Sequence, residues 1–325
     1  TLTSFFLAPD QPFVLTAPGN PSAFYAQFPR VAFSPDTGTF LVTWYVYDNT
    51  PGFLIQARTV RVQGGVPVLG PLFLVSTPTA SANGGAEGAG APVIYNPDAK
   101  EFVVAWAQTN ADAKGPAGIR VQRVSTSGTL IGNPSSTSDG RDVDWPALAY
   151  NPKAGEYVLT YGAWGSGAQA RAQKFTTGGS PMGGPVVLAT GTGVWLPQAI
   201  HDPKLDRYLV LASIDGKTTG RLFDVSLQPL AAPFVLREGT IDGVAGYYCP
   251  KSSQFFAILQ GSSTNDDFAA FVSASGVPGG VFSWTSNQPK LGNFHPRAAF
   301  NSKRGEWLAV TSENRTVLVG QRISP

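Results

Sequence analysis

The chain has 325 residues, of which 14% are charged, 37 are Gly and 27 are Pro. Its formal net charge is +2 and its basic residues are scattered, which argues against nucleic acid, a partner that calls for a basic stripe or patch. No apolar run approaches the length of a membrane-spanning helix, and abundant Gly and Pro favour short strands and turns over long helices.

The chain opens at Thr1, which a removed signal peptide or an excised domain would both explain. The first element is a lone strand at residues 12–16, Pro12-Phe13-Val14-Leu15 with Thr16. Six imperfect copies of one motif follow, anchored by Arg30-Val31-Ala32-Phe33-Ser34-Pro35, Pro92-Val93-Ile94-Tyr95-Asn96-Pro97, Ala147-Leu148-Ala149-Tyr150-Asn151-Pro152, Gln198-Ala199-Ile200-His201-Asp202-Pro203, Ala245-Gly246-Tyr247-Tyr248-Cys249-Pro250 and Arg297-Ala298-Ala299-Phe300-Asn301-Ser302. The aligned rings at 33, 95, 150, 201, 248 and 300 lie 62, 55, 51, 47 and 52 residues apart, a period that builds propellers and solenoids.

Within each copy the anchor reads as strand a, followed by a Pro- or Asn-based turn. Strand b is a continuous apolar run, as in Phe40 to Trp44, Phe102 to Trp106 and Tyr157 to Tyr161, the mark of a strand covered on both faces. Strand c follows, as in Ile119 to Val124, then a Gly-containing turn and an outer strand d, as in Pro185 to Leu188. Glu101, Glu156 and Glu306 at the start of strand b match Arg123, Lys174 and Arg322 near the end of strand c. In the fourth copy Arg207 and Asp224 stand there with both signs reversed. The spacing predicts cross-strand ion pairs.

The sixth copy stops after strand c, and the orphan strand at 12–16 resembles Pro233-Phe234-Val235-Leu236. The expected fold is therefore all-β. It is a six-bladed β-propeller of four-stranded antiparallel blades in one domain, residues 1–325, with blades starting near 29, 91, 146, 197, 244 and 296 and the last blade closed by the N-terminal strand.

The pattern Tyr-Asn-Pro, Glu-Tyr/Phe-Val-Val-x-Trp, Gln-Arg-Val and Gly, clearest in copies two and three, resembles propeller repeats common in secreted bacterial proteins. That resemblance implies an exported propeller, secreted or at the cell surface.

Candidate site residues lie on the rim formed by the d–a and b–c loops, because variable loops on a rigid frame usually carry binding. Trp145, Trp195 and Trp164 reach this rim, where they would stack on a sugar, anchor a protein or fill the channel. Arg30, His295 and Arg297 form a candidate cationic pocket for a carboxylate or sulfate. Asp139, Asp142 and Asp144 form a candidate Ca²⁺ loop, with a solvated acidic loop as the alternative. Otherwise no cofactor is expected. The Gly-rich segment from Ser76 to Ala91 is a candidate lid or a dispensable insertion.

Other rim carboxylates are Asp48, Glu87, Asp215, Asp242, Asp266 and Glu313, and the chain lacks a Gly-x-Ser-x-Gly elbow and a His-Glu-x-x-His pair. His201 and the lone Cys249 read as interior residues. Arg58, Arg120, Arg171 and Arg221 read as a repeated scaffold position. The expected function is non-catalytic binding of a glycan or protein by a domain that is monomeric. A secreted polysaccharide hydrolase or lyase is the alternative, and a structural module of a larger surface protein is another.

Overall fold

The computed structural model describes residues 15, 23–48, 52–76, 90–108, 118–137, 141–239, 241–261, 266–285, 293–313 and 317–325. The described chain is all-β. Its six antiparallel sheets are the blades of a six-bladed β-propeller. No helix among the described residues is long and apolar enough to cross a membrane. The chain divides into two compact units, residues 1–144 with 177–181 and residues 145–176 with 182–325.

In the first unit, one sheet pairs β1 (Ala23–Ser34), β2 (Thr39–Asp48), β3 (Gly52–Gln63) and β4 (Val66–Leu74) in chain order. The next pairs β5 (Val93–Asn96), β6 (Glu101–Gln108), β7 (Gly118–Ser125) and β8 (Leu130–Thr137). The second unit holds most of the third sheet, β9 (Asp142–Asn151), β10 (Glu156–Trp164), β11 (Ala168–Thr176) and β12 (Pro181–Gly191). It also holds β13 (Val194–Asp202), β14 (Arg207–Ile214), β15 (Lys217–Asp224) and β16 (Phe234–Glu238), then β17 (Ile241–Cys249), β18 (Gln254–Gly261), β19 (Asp267–Val272) and β20 (Phe282–Ser283). The sixth sheet has three described strands, β21 (Asn293–Asn301), β22 (Glu306–Glu313) and β23 (Val317–Ile323). Of the proposed closing strand at 12–16, only Leu15 is described. Its carbonyl accepts a 2.9 Å hydrogen bond from Arg58 Nη1.

Strand b is buried almost end to end in β6, β10, β14 and β18, whereas the outer strand β4 is largely exposed. In the second unit the core therefore lies as slabs between successive sheets: Val158 and Ala172 against Tyr208 and Val210, Leu211 against Val244 and Phe255, Phe256 against Trp307. Buried threonines tie neighbouring sheets, Thr43 Oγ1 to the Ala91 carbonyl and Thr160 Oγ1 to the Pro197 carbonyl, each at 2.7 Å. Further round, Gly246 N donates to Gln198 Oε1 at 2.8 Å.

The a–b turns repeat one device. Asn96, Asn151, Asp202 and Asn301 each accept two backbone N–H groups of the turn on their Oδ1 atoms, at 2.9–3.3 Å. This is the Asx chemistry that lets a short polar side chain build a turn. Cys249 stands at the same repeat position and is fully buried.

The predicted b–c ion pairs form in three blades: Glu101–Arg123 and Glu156–Lys174 at 2.6 Å, Glu306–Arg322 at 3.7 Å. The register places Arg123 opposite Val103 and Lys174 opposite Val158, so these pairs run diagonally along one face. The reversed pair does not form. Arg207 and Asp224 are directly opposite, which makes Asp224 the counterpart of Ser125 rather than of Arg123. Asp224 Oδ1 caps its c–d turn through Ser226 N and Gln228 N at 2.9 and 2.8 Å, while Arg207 Nε faces Asp202 Oδ2 at 3.5 Å.

The four scaffold arginines also separate. Arg120 and Arg171 lie opposite Trp106 and Tyr161, whereas Arg58 and Arg221 lie opposite Val42 and Val210, a position held by Gln122 and Gln173 in the intervening blades.

Candidate functional site

Phe28, Gly90, Trp145 and Leu196 occupy one repeat position, five residues before the aligned ring. All four have positive φ, from 51° to 67°. The strand register slips at this place in β1, β13 and β21. A bulge re-aims the side chains on either side of it. Held left-handed, a bulky residue such as Trp145 costs of order 1–3 kcal/mol, which the surrounding packing must offset.

In the second unit three indoles gather near this position. Trp145 lies 4.8 Å from Trp164 and 4.5 Å from Trp195, ring centre to ring centre, and Trp164 lies 5.9 Å from Trp195. The Trp145–Trp164 contact is edge-on at 81°, the arrangement that ring quadrupoles favour. At these separations the rings touch and leave no room for a ligand between them, so the cluster is not an aromatic cage. Trp145 and Trp164 are half-buried, while Trp195 is 45% exposed. Trp195 is thus the presented face and the other two indoles are its support.

Two glycines and one carboxylate hold this arrangement. A Cβ at Gly162 would stand 2.5 Å from Trp164 Cη2, and one at Gly193 would stand 3.2 Å from Trp195 Nε1. Trp164 therefore folds back over Gly162. Gly162→Ala is expected to drive Trp164 out of the cluster, read as a loss of near-UV circular dichroism with the far-UV spectrum kept. An unchanged near-UV spectrum would contradict that packing. The loop leading to Trp195 is clasped by Asp215 in the β14–β15 turn. Its Oδ1 accepts Thr192 N and Thr192 Oγ1 at 2.7 Å and Gly193 N at 3.0 Å. These hydrogen bonds, from the Thr192 hydroxyl first, hold the Asp215 carboxyl below its ordinary value, so it is ionised beside the shelf.

The other predicted residues are placed differently. Arg30 Nη1 and Arg297 Nη1 each donate to the carbonyl of the proline just before them, at 3.1 and 2.8 Å. The two belong to different units, and the His295 side chain lies outside the described residues. Asp142 and Asp144 are part of β9 rather than of a loop, Asp139 lies outside the described residues, and among those described no three metal-ligating side chains gather. Most of the segment from Ser76 to Ala91, and the side chains of Asp48, Glu87, Asp242 and Glu313, also lie outside them.

His201 is interior: its side chain is 6% exposed, Nε2 lies 3.2 Å from Asp206 Oδ1, and burial lowers its pKa below the ordinary 6.5. Asp267, which the sequence did not single out, is fully buried, and among the described residues no cation pairs with its carboxylate. Burial raises its pKa to about 6, eased by the Thr311 hydroxyl and reinforced by Asp266.

No protein-family model and no curated protein sequence matches the chain. Among solved structures it is similar to an α-L-arabinofuranosidase of Fusarium graminearum, with 12% identity and a TM-score of 0.65 over 94% of each chain. It is also similar to a periplasmic gluconolactonase of Pseudomonas aeruginosa, with 13% identity and a TM-score of 0.56 over 91% of this chain and 85% of that one. A third is a protein from Lactobacillus plantarum, with 12% identity and a TM-score of 0.55 over 96% of this chain and 86% of that one. At identities this low the likeness shows the propeller fold alone.

Proposed function

We propose that the chain is an exported carbohydrate-binding propeller that holds a sugar face against Trp195. The observation that carries this reading is the half-exposed Trp195 indole, backed by Trp145 and Trp164 at 4.5 and 5.9 Å. A rigid, supported ring loses little conformational freedom on binding and offers a flat apolar surface to the C–H face of a sugar. Two of the similar propellers are named for carbohydrate-related chemistry, as an arabinofuranosidase and a gluconolactonase, and the second is named as periplasmic, which supports both the ligand class and export. Asp215 favours binding over hydrolysis at this shelf. A general acid needs a raised pKa, whereas this carboxyl is held ionised by three hydrogen bonds. Its role here is to fix the loop and accept sugar hydroxyls.

A glycan array followed by calorimetry on the best ligand tests the reading. Trp195→Ala is expected to weaken binding by roughly 2 kcal/mol, about thirtyfold, with an unchanged melting temperature. Trp164→Ala, which removes a supporting ring, is expected to lower the melting temperature as well. Equal affinity for wild type and Trp195→Ala would move the ligand elsewhere. Release of reducing sugar from the bound glycan would replace binding with catalysis.

A further inference from the structure

Between β12 and the β14–β15 pair lies a cavity of about 310 Å³, walled by Leu188, Ala189, Val210, Ile214 and Phe223, with Arg221 among its lining residues. It shares no residue with the tryptophan cluster. Its volume falls at the lower end of the ~300–1,000 Å³ of small-molecule sites, which combine apolar walls with a few polar groups that fix orientation.

The repeat isolates what is unusual about Arg221. At the equivalent positions Gln122 and Gln173 are almost fully buried and donate through Nε2 to carbonyls of their outer strands, Ile131 and Gly132 in one blade, Met182 and Gly183 in the next. Arg58 does the same through Nε to the Gly70 carbonyl at 2.6 Å, and its Nη1 holds the Leu15 carbonyl. Arg221 Nε makes this scaffold bond to the Ala231 carbonyl at 2.7 Å, and its guanidinium carbon stands 5.7 Å over the Phe223 ring. Among the described residues no carboxylate pairs with it, and at this exposed place its Nη groups make no further hydrogen bond within the protein. Glutamine suffices for the scaffold role, so the guanidinium edge is surplus to it.

We propose that this cavity is a ligand site for a small molecule with an apolar body and a single anionic head, a medium-chain or aryl carboxylate. The body lies against Leu188, Val210, Ile214 and Phe223, and the head takes the two Nη donors of Arg221 as a forked, charge-assisted pair.

Octanoate is the probe, with 1-octanol as its uncharged counterpart, both titrated calorimetrically into the intact protein. Arg221→Gln is the informative variant, because Gln already fills this position in two blades and keeps the bond to the outer strand. Saturable one-to-one octanoate binding is expected. Arg221→Gln is expected to weaken it by about tenfold or more, and 1-octanol is expected to bind wild type more weakly by a similar factor. Ala189→Leu, at a half-buried position of the outer strand, fills the cavity without replacing Arg221 and is expected to abolish binding. It carries the test should Arg221→Gln lower the melting temperature. The proposal is overturned if octanoate does not saturate at millimolar concentration, if 1-octanol binds as well as octanoate, or if binding survives Ala189→Leu.

Discussion

Asp267→Asn is expected to stabilise the protein at pH 8 by roughly 3 kcal/mol and to leave it almost unchanged at pH 3.5. Asp267 opens β19. Its backbone N–H donates to Thr285 Oγ1 at 2.7 Å and its carbonyl accepts Trp284 N at 3.1 Å, so the main chain is held in place. Its carboxylate, by contrast, is fully buried, eased by the Thr311 hydroxyl and set near the like charge of Asp266. Burial raises the folded-state pKa to about 6 from the ordinary 3.8. In that interval the folded protein binds more protons than the unfolded chain, so stability is fully present below pH 3.8. It falls as the pH rises towards about 6 and is level above that. Asparagine keeps the shape and removes the charge. Urea unfolding of both proteins at the two pH values measures the difference. An equal effect at pH 3.5 and pH 8 would show that charge is not its cause.

Arg123→Ala is expected to cost about 3 kcal/mol, the low end for breaking a buried ion pair. Arg123 grips Glu101 with two bonds, Nε to Oε1 at 2.6 Å and Nη2 to Oε2 at 2.8 Å. The Glu101 side chain is 3% exposed and that of Arg123 is 29% exposed, so removing the arginine strands a buried carboxylate while water reaches the vacated side only in part. The double variant Glu101→Met/Arg123→Met is expected to recover most of the loss, because no unpaired charge remains. Urea unfolding of the single and double variants checks this. A double variant as unstable as Arg123→Ala would mean that the pair acts through packing rather than through charge.

The repeat made the architecture readable in the sequence. Rings at 33, 95, 150, 201, 248 and 300 and continuous apolar runs in strand b reflect blades covered on both faces, a demand that side-chain chemistry alone expresses. The same logic found the ion pairs of three blades and the interior places of His201 and Cys249. Register was not readable. Asp224 and Arg123 both precede a c–d turn, and only the strand pairing shows that they differ by one diagonal step, which turned an apparent charge reversal into a turn cap. The arginines of strand c divided into two positions for the same reason.

The tryptophans show both sides of this boundary. Their presence before strand a and in the b–c loop was plain in the sequence, but nothing there says that Trp145 is left-handed, that Trp164 folds over Gly162, or that Asp215 clasps the loop before Trp195. A one-residue bulge decides which way a side chain points, and small residues decide what it can lie against. The cavity beside Arg221 and the stranded carboxylate of Asp267 are likewise products of packing between sheets. Sequence fixes which residues exist at each repeat position. Which donors are already satisfied, and which carboxylates lose their water, depends on neighbours some 20 to 40 positions away along the chain, and only the tertiary structure brings these together.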